Sequence, residues 1–140
     1  MTALRWKRAE VSAGALVLWA ALLYLDGDGM AVQCLLACAL HELGHLLAIY
    51  ALGGHVAFLR VSCVGAELRL SARDRLTPAA QFLAALSGPL VNLGAGWAAL
   101  RLTGEGGWCF AGLNFALAAF NLLPAAGLDG GRALGCLLLP

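Results

Sequence analysis

Four apolar stretches, separated by short polar or glycine-rich segments, dominate the hydropathy pattern of the chain. They cover residues 10–25, 30–52, 78–102 and 107–123. A helix needs about 20 mainly apolar residues to cross the hydrocarbon core of a bilayer, and their flanks bring the shorter stretches near this length. The pattern therefore predicts about four transmembrane helices.

The first apolar stretch has two interpretations. A basic start with Arg5, Lys7 and Arg8, followed by an apolar core, is typical of a signal peptide as well as of a first span. The polar turn Asp-Gly-Asp-Gly at residues 26–29 follows, without a clear small-residue cleavage motif. We therefore expect a retained first span.

Residues 56–76 differ from the apolar stretches, because apolar and charged residues intermingle there. β-branched and aromatic residues are frequent, including Val56, Phe58 and Val61, and such residues favour strands. We expect a short β hairpin at the membrane surface, although a plain polar connector accounts for the pattern equally well. A sheet edge at this place would be able to receive an extended peptide by strand addition.

Composition supports a membrane protein. The 140 residues are 61% hydrophobic and 12% charged, with a mean hydropathy of +0.83, whereas charged residues make up about a quarter of a soluble chain. The formal net charge of +1 gives no reason to expect a nucleic-acid partner. We predict one all-α polytopic domain over residues 1–140, completed by the hairpin and by a broken helix with a Leu-Asp-Gly-Gly loop within residues 121–140.

The second stretch carries two histidines and a glutamate in the order His41-Glu42-Leu43-Gly44-His45. Residues four apart share a helix face, with a separation of about 6 Å along the axis. His41 and His45 can therefore direct two imidazole nitrogens at one zinc ion, while Glu42 reaches a water beside it. The spacing predicts a zinc site with Glu42 as the general base.

Short motifs of this kind recur by chance, and the apolar surroundings decide the interpretation. A charged side chain at the centre of a bilayer costs about 3 kcal/mol or more. A purely structural membrane helix gains nothing from carrying such groups. The histidines and the glutamate are therefore interpreted as a metal site.

His55 and Glu67 are two candidates for a third zinc ligand. A zinc motif that extends to a third histidine has glycine and histidine where this chain has Ala48 and Ala51. His55 is therefore interpreted as a loop or interfacial residue. Glu67 follows His45 at a suitable distance but lies among alternating charges, as in an exposed segment.

Asp129 is the candidate we favour. It follows Pro124 and Gly127, which break the last apolar stretch at membrane depth. Irregular backbone at that depth is tolerated only where it packs in protein or lines a wet cavity. Two glycines follow Asp129 and allow the backbone to approach its neighbours closely.

The distribution of charge predicts an orientation in the membrane. If every apolar stretch spans, the basic N-terminus and the Arg-rich segment 53–77 share one side, and Asp26 and Glu105 share the other. The positive-inside rule makes the former side cytoplasmic. His41 lies about 17 Å along the second stretch at the helical rise, so that His41 and Asp129 are expected at similar depth.

Three motifs together carry a resemblance to a known family. They are His41-Glu42-x-x-His45, Gly88-Pro89-x-x-Asn92 and Asn121-Leu-Leu-Pro…Leu128-Asp129-Gly130-Gly131-Arg132. In this combination the chain, from Met30 onwards, resembles the site-2 proteases, which are intramembrane zinc metalloproteases. Within that family it is most similar to the compact sporulation type, stage IV sporulation protein FB. Since relatives usually continue into further helices, we expect a minimal or truncated member.

The resemblance implies roles for five of the motif residues. His41, His45 and Asp129 would bind one zinc ion per chain, and Glu42 would be the catalytic base. Asn121 would orient the substrate or stabilise the oxyanion. The implied activity is hydrolysis of a peptide bond in a membrane-tethered protein, as in regulated intramembrane proteolysis. The expected location is a bacterial cytoplasmic membrane, with the N-terminus in the cytoplasm and a regulatory membrane protein as a further partner.

A catalytically silent, zinc-holding membrane scaffold or partner-binding subunit is the alternative function. The presence of Glu42 beside all three candidate ligands argues against it. A metal transporter would need an aqueous path with polar residues in several spans, and the chain has too few of them.

Overall fold

The computed structural model describes residues 3–6, 9–62, 65–70 and 76–138 of the chain. Helices account for most of them, and strands lie near the N-terminus and between the second and third helices. In chain order the elements are β1 (Ala3–Trp6), β2 (Ala9–Ser12), α1 (Ala13–Leu25), α2 (Met30–Ala51), β3 (Val56–Ser62), β4 (Gly65–Leu70), α3 (Pro78–Thr103), α4 (Trp108–Asn121) and α5 (Asp129–Leu138).

Polar side chains define where three of the helices begin. The hydroxyls of Ser12 and Thr77 accept hydrogen bonds from the first turns of α1 and α3. The two carboxylate oxygens of Asp26 accept from the backbone N–H groups of Met30 and Ala31 at 2.9 Å each. These caps satisfy donors that a helix start leaves without an intrahelical partner.

Two stretches are long and apolar enough to cross a membrane. One is α2, and the other is the stretch 78–121, which consists of α3, a single 3-10 turn over Gly104–Gly107 and α4. Helix α1 is apolar but has only 13 residues, fewer than the about 20 that a span needs. The expectation of about four transmembrane helices therefore stays a prediction.

The bundle buries small and polar side chains and exposes large apolar ones. Among the described residues, the largest fully buried side chains are those of Asn92, Asn114 and Pro89. Leu102 is 84% exposed and Val17 is 69% exposed. Soluble proteins rarely expose extensive apolar surface, whereas membrane bundles pack small residues against each other and turn polar residues inward. The packing therefore supports a membrane protein.

The strands form one sheet with the order β1-β2-β3-β4. The hairpin expected within residues 56–76 exists as the antiparallel pair β3 and β4, and residues 71–75 lie outside the described part. The all-α class was wrong in one respect, because β1 and β2 add a second antiparallel pair. The first helix begins at Ala13 and not at residue 10, since Ala9–Ser12 pairs in the sheet.

The link between the two strand pairs is parallel and joins distant parts of the chain. Glu10 in β2 lies opposite Arg60 in β3. The N-terminal segment and the segment around residue 60 therefore share one end of the bundle, as the charge pattern indicates. Helix α3 lies at the centre of the bundle and contacts α2, α4 and α5. Residues of α2 and α5 therefore meet beside α3.

Candidate metal centre

Three buried side chains from α2 and α5 converge beside α3. Oδ2 of Asp129 lies 3.0 Å from Nε2 of His41 and 3.1 Å from Nε2 of His45. The two Nε2 atoms lie 3.1 Å from each other. Among the described residues, these three form the group that can hold a metal ion.

Two glycines allow α2 and α3 to approach each other at this point. A Cβ added at Gly44 of α2 would lie 2.8 Å from a methyl carbon of Val91 and 2.9 Å from the carbonyl oxygen of Ser87. A Cβ added at Gly88 of α3 would overlap the imidazole ring of His45. The absence of a side chain at Gly88 therefore makes room for a candidate ligand.

The break between α4 and α5 places Asp129 at the start of a new helix. Gly127 has a φ of 91°, which glycine adopts without strain. A Cβ added at Gly130 would overlap the carbonyl of Leu122, and one at Gly131 would overlap the carbonyl of Ala125. The two glycines let the first turn of α5 pack against this segment and bring Asp129 to the histidines.

His45 is oriented by the backbone of α3. Its Nδ1 lies 2.8 Å from the carbonyl oxygen of Ala84, which only accepts hydrogen bonds. Nδ1 therefore carries the proton in the neutral ring, and Nε2 has a free electron pair. The hydroxyl of Ser87 donates to the same carbonyl at 2.7 Å and lies 3.4 Å from Nδ1 of His45.

His41 is oriented by an amide side chain. Its Nδ1 lies 2.6 Å from Oδ1 of Asn92, so that Nδ1 donates and Nε2 again has a free electron pair. The amide nitrogen of Asn92 donates to the carbonyl of Ala37 at 3.0 Å and to Oδ1 of Asn114 at 2.7 Å.

The resulting donor set fits zinc. Two nitrogen electron pairs and a carboxylate oxygen face one another within 3.1 Å, and such groups repel unless a cation or a proton lies among them. Two histidines and one carboxylate are a ligand set of catalytic zinc sites that keep a fourth position open. Arg132 lies 3.7 Å from the other oxygen of Asp129.

Glu42 lies beside a cavity of about 380 Å³ between α2 and β3. The cavity is otherwise lined by apolar and aromatic side chains, namely Ala39, Leu43, Leu46, Tyr50, Val56 and Leu59. His41, His45 and Asp129 are not among the residues that line this cavity, so Glu42 is the residue that connects it with the cluster, through its place next to His41 on α2.

Of the other candidates for a third ligand, His55 is not part of the cluster of His41, His45 and Asp129. His55 is exposed, and its ring contacts that of Tyr50 with the centroids 6.0 Å apart. The backbone of Glu67 lies in β4, opposite Arg60, and its side chain lies outside the described part of the chain. The amide nitrogen of Asn121 donates to the carbonyl of Leu117 on its own helix, so its role in orienting the substrate stays a prediction.

The sequence did not assign a role to Asn92 or Asn114, which the structure places behind His41. Both side chains are 0% exposed. The signal that identifies such residues is an amide side chain in the middle of a mainly apolar helix, since a buried amide needs hydrogen-bond partners.

Comparison with known proteins gives two kinds of match. The protein Rip3 of Mycobacterium tuberculosis, whose name presents it as a presumed zinc metalloprotease, is 34% identical over 140 residues in each of two strains. The alignment covers 91% of this chain and 35% of Rip3, so the chain spans about a third of that relative's length. No protein-family model matches the chain.

The structural match concerns the site-2 protease from Methanocaldococcus jannaschii. It has a TM-score of 0.74 and 22% sequence identity, and it covers 98% of this chain and 72% of the archaeal chain. At this identity the match shows a shared fold.

Proposed function

The chain belongs to the site-2 protease family, and we propose that it is a zinc metalloprotease that hydrolyses a peptide bond of a membrane-tethered protein. The observation that carries this proposal is the convergence of His41, His45 and Asp129 at 3.0–3.1 Å. Glu42 lies beside them at a cavity. The likeness to the compact sporulation type stays a prediction.

Each residue of the cluster has a distinct task in this proposal. His41, His45 and Asp129 would hold one zinc ion, which supplies Lewis acidity to the scissile carbonyl and to water. The carboxylate of Glu42 accepts a proton from the attacking water as the new carbon–oxygen bond forms. It then delivers that proton to the leaving amine as the carbon–nitrogen bond breaks.

The surroundings of Glu42 support an extended substrate. Backbone hydrogen bonds of a helical substrate must open before hydrolysis, and the opened segment needs partners for its N–H and C=O groups. The sheet borders the cavity through Val56 and Leu59 of β3. Because β3 pairs with both β2 and β4, an extended segment would pair with an edge strand of this sheet, β1 or β4. The proposed location is a bacterial cytoplasmic membrane with the N-terminus in the cytoplasm, and a regulatory membrane protein would be a further partner.

The test compares zinc content and proteolysis in the 140-residue chain purified in detergent. Dye-quenched casein serves as an unfolded probe substrate. We expect one zinc per chain and zinc-dependent hydrolysis in the wild type, and loss of zinc in Asp129→Ala. Glu42→Gln should keep its zinc and lose activity by about 100-fold or more, the contribution typical of a general base.

Three outcomes would contradict the proposal. Equal zinc content in the wild type and Asp129→Ala would exclude Asp129 as a ligand. Equal hydrolysis by the wild type and Glu42→Gln would exclude Glu42 as the base. A zinc-loaded wild type without activity on casein or on membrane-tethered reporters would favour the scaffold.

A further inference from the structure

A chain of hydrogen bonds runs from the backbone of α4 to His41 on α2. The amide nitrogen of Asn114 donates to the carbonyl of Phe110 at 2.8 Å. Oδ1 of Asn114 accepts from the amide nitrogen of Asn92 at 2.7 Å. Oδ1 of Asn92 accepts from Nδ1 of His41 at 2.6 Å. The chain therefore crosses three helices.

The direction of every bond in this chain is fixed by two backbone carbonyls. The carbonyl of Phe110 can only accept, so the nitrogen of the Asn114 amide must face it and the oxygen must face Asn92. The carbonyl of Ala37 likewise faces the nitrogen of the Asn92 amide. Oδ1 of Asn92 is then left for His41, whose Nδ1 must donate.

This direction determines which nitrogen of His41 is free to bind a metal. With the proton on Nδ1, the electron pair of Nε2 faces Asp129 and His45. If the Asn92 amide were reversed, its nitrogen would face Nδ1 and favour the tautomer that carries the proton on Nε2. That tautomer does not bind zinc through Nε2.

We propose that Asn114 is a positioning residue of the metal centre. It accepts one of the two amide hydrogens of Asn92, and it thereby fixes the orientation of Asn92 and presents the electron pair of His41 Nε2 to zinc. The inference rests on the proposed function, because it assumes that zinc binds at this cluster. A purely structural role of Asn114 would be to hold α3 against α4, as polar residues in membrane bundles do.

The first test is the zinc affinity of Asn114→Leu, measured in detergent by competition with a chromophoric chelator. Leucine has a similar size and provides no acceptor. Partners of a ligating histidine change metal affinity by about 10–100-fold, and we expect a loss of about tenfold here because Asn114 acts through Asn92. The visible absorption spectrum of the cobalt-loaded protein should change as well, since it reports the ligand geometry.

Two further variants separate positioning from folding. In Asn114→Asp, the neutral carboxylic acid has the same shape, donates from its hydroxyl to the carbonyl of Phe110 and offers its other oxygen to Asn92, so zinc affinity should return close to the wild-type value. In Asn114→Ser, the hydroxyl can bond back to the carbonyl of Phe110 but is too short to reach Asn92. We expect this variant to fold and to bind zinc as weakly as Asn114→Leu.

Phe115→Leu is the matched control. Phe115 lies next to Asn114 on α4 and contacts α3 at Gly96, where an added Cβ would lie 2.7 Å from its ring. This variant should lower the midpoint of thermal unfolding and leave zinc affinity and the cobalt spectrum unchanged. The same result for Asn114→Leu would overturn the proposal and leave the structural role.

A double variant tests the route through Asn92. In an Asn92→Leu background, Asn114→Leu should weaken zinc binding no further, because the residue on which it acts is gone. A further tenfold loss in that background would overturn the route. A wild type without zinc would overturn the proposed function and this inference together, whereas tight zinc binding in both the wild type and Asn114→Leu would overturn this inference alone.

Discussion

The two histidines of α2 lie one helical turn apart, yet they are supported in different ways. Nδ1 of His45 meets a backbone carbonyl of the neighbouring helix, that of Ala84. Nδ1 of His41 meets the side chain of Asn92, which depends on further partners in α2 and α4. A helix fixes the direction of its own carbonyls, whereas an amide side chain must be fixed by its neighbours. His45 therefore depends on helix packing, and His41 depends on a polar network.

The largest expected effect comes from breaking the packing that supports His45. In Gly88→Ala, the added methyl group would overlap the imidazole ring of His45. Either the ring leaves its position or α2 and α3 separate, and both changes remove Nε2 of His45 from the cluster. We expect zinc binding and proteolysis to be lost, as measured by metal analysis of the purified protein and by casein hydrolysis.

Gly94→Ala on the same helix is the control, because an added Cβ there would meet nothing within 4 Å. In a helix interior alanine is favoured over glycine by about 1 kcal/mol, so this variant should bind zinc normally and be at least as stable as the wild type. Normal zinc content in Gly88→Ala would show that the His45 ring has room to move, and that helix packing does not determine its position.

A smaller effect is expected from breaking the network that supports His41. Asn92→Leu removes the acceptor of Nδ1 but leaves the ring and its helix in place. Zinc affinity should fall by about 10–100-fold, the range seen when the hydrogen-bond partner of a ligating histidine is removed. Chelator competition measures the change, and excess zinc should restore a large part of the proteolysis.

Restoration of proteolysis by excess zinc distinguishes the polar network that orients His41 from the helix packing that orients His45. Excess zinc should rescue Asn92→Leu, whose three ligands are present, and should fail with Gly88→Ala, in which one ligand is displaced. If excess zinc rescued neither variant, Asn92 would be needed for the position of α2 itself. His41 and His45 would then both depend on helix packing.

The sequence predicted which residues converge better than it predicted the contacts that orient them. His41, Glu42 and His45 stand at a spacing typical of a zinc site on a helix, and Asp129 follows a backbone break that is tolerated at membrane depth only where it packs in protein or lines a wet cavity. The contact between Gly88 and His45 has no such signal, because a glycine in a membrane helix also fits ordinary packing. The neighbouring group that occupies the space beside a glycine can be identified only from the three-dimensional structure.

The missed strands have a similar explanation. β2 pairs with β3, and Glu10 lies opposite Arg60. A pairing between such distant segments leaves no local pattern, whereas the hairpin of β3 and β4 joins neighbours in the chain. The residues of β1 and β2 are too few to show a clear alternation, and their position next to an apolar helix favours a basic flank or a signal peptide instead.

The smallest expected effect concerns Ser87, the second polar neighbour of His45. Its hydroxyl donates to the carbonyl of Ala84 at 2.7 Å and lies 3.4 Å from Nδ1 of His45. Ser87→Ala removes a competing donor from that carbonyl and leaves its bond with Nδ1 intact. Zinc affinity should therefore change by well under the roughly tenfold that marks a true histidine partner, as chelator competition would show.

The Ser87→Ala variant tests whether the carbonyl of Ala84 alone orients His45. If Ser87→Ala weakens zinc binding as much as Asn92→Leu does, the hydroxyl accepts from Nδ1 and both histidines depend on side chains. If its affinity matches that of the wild type, the carbonyl of Ala84 is sufficient. The backbone of α3 then orients His45 directly, because the carbonyl of Ala84 faces its Nδ1. His41 requires two buried amides, because the side chain of Asn92 faces its Nδ1.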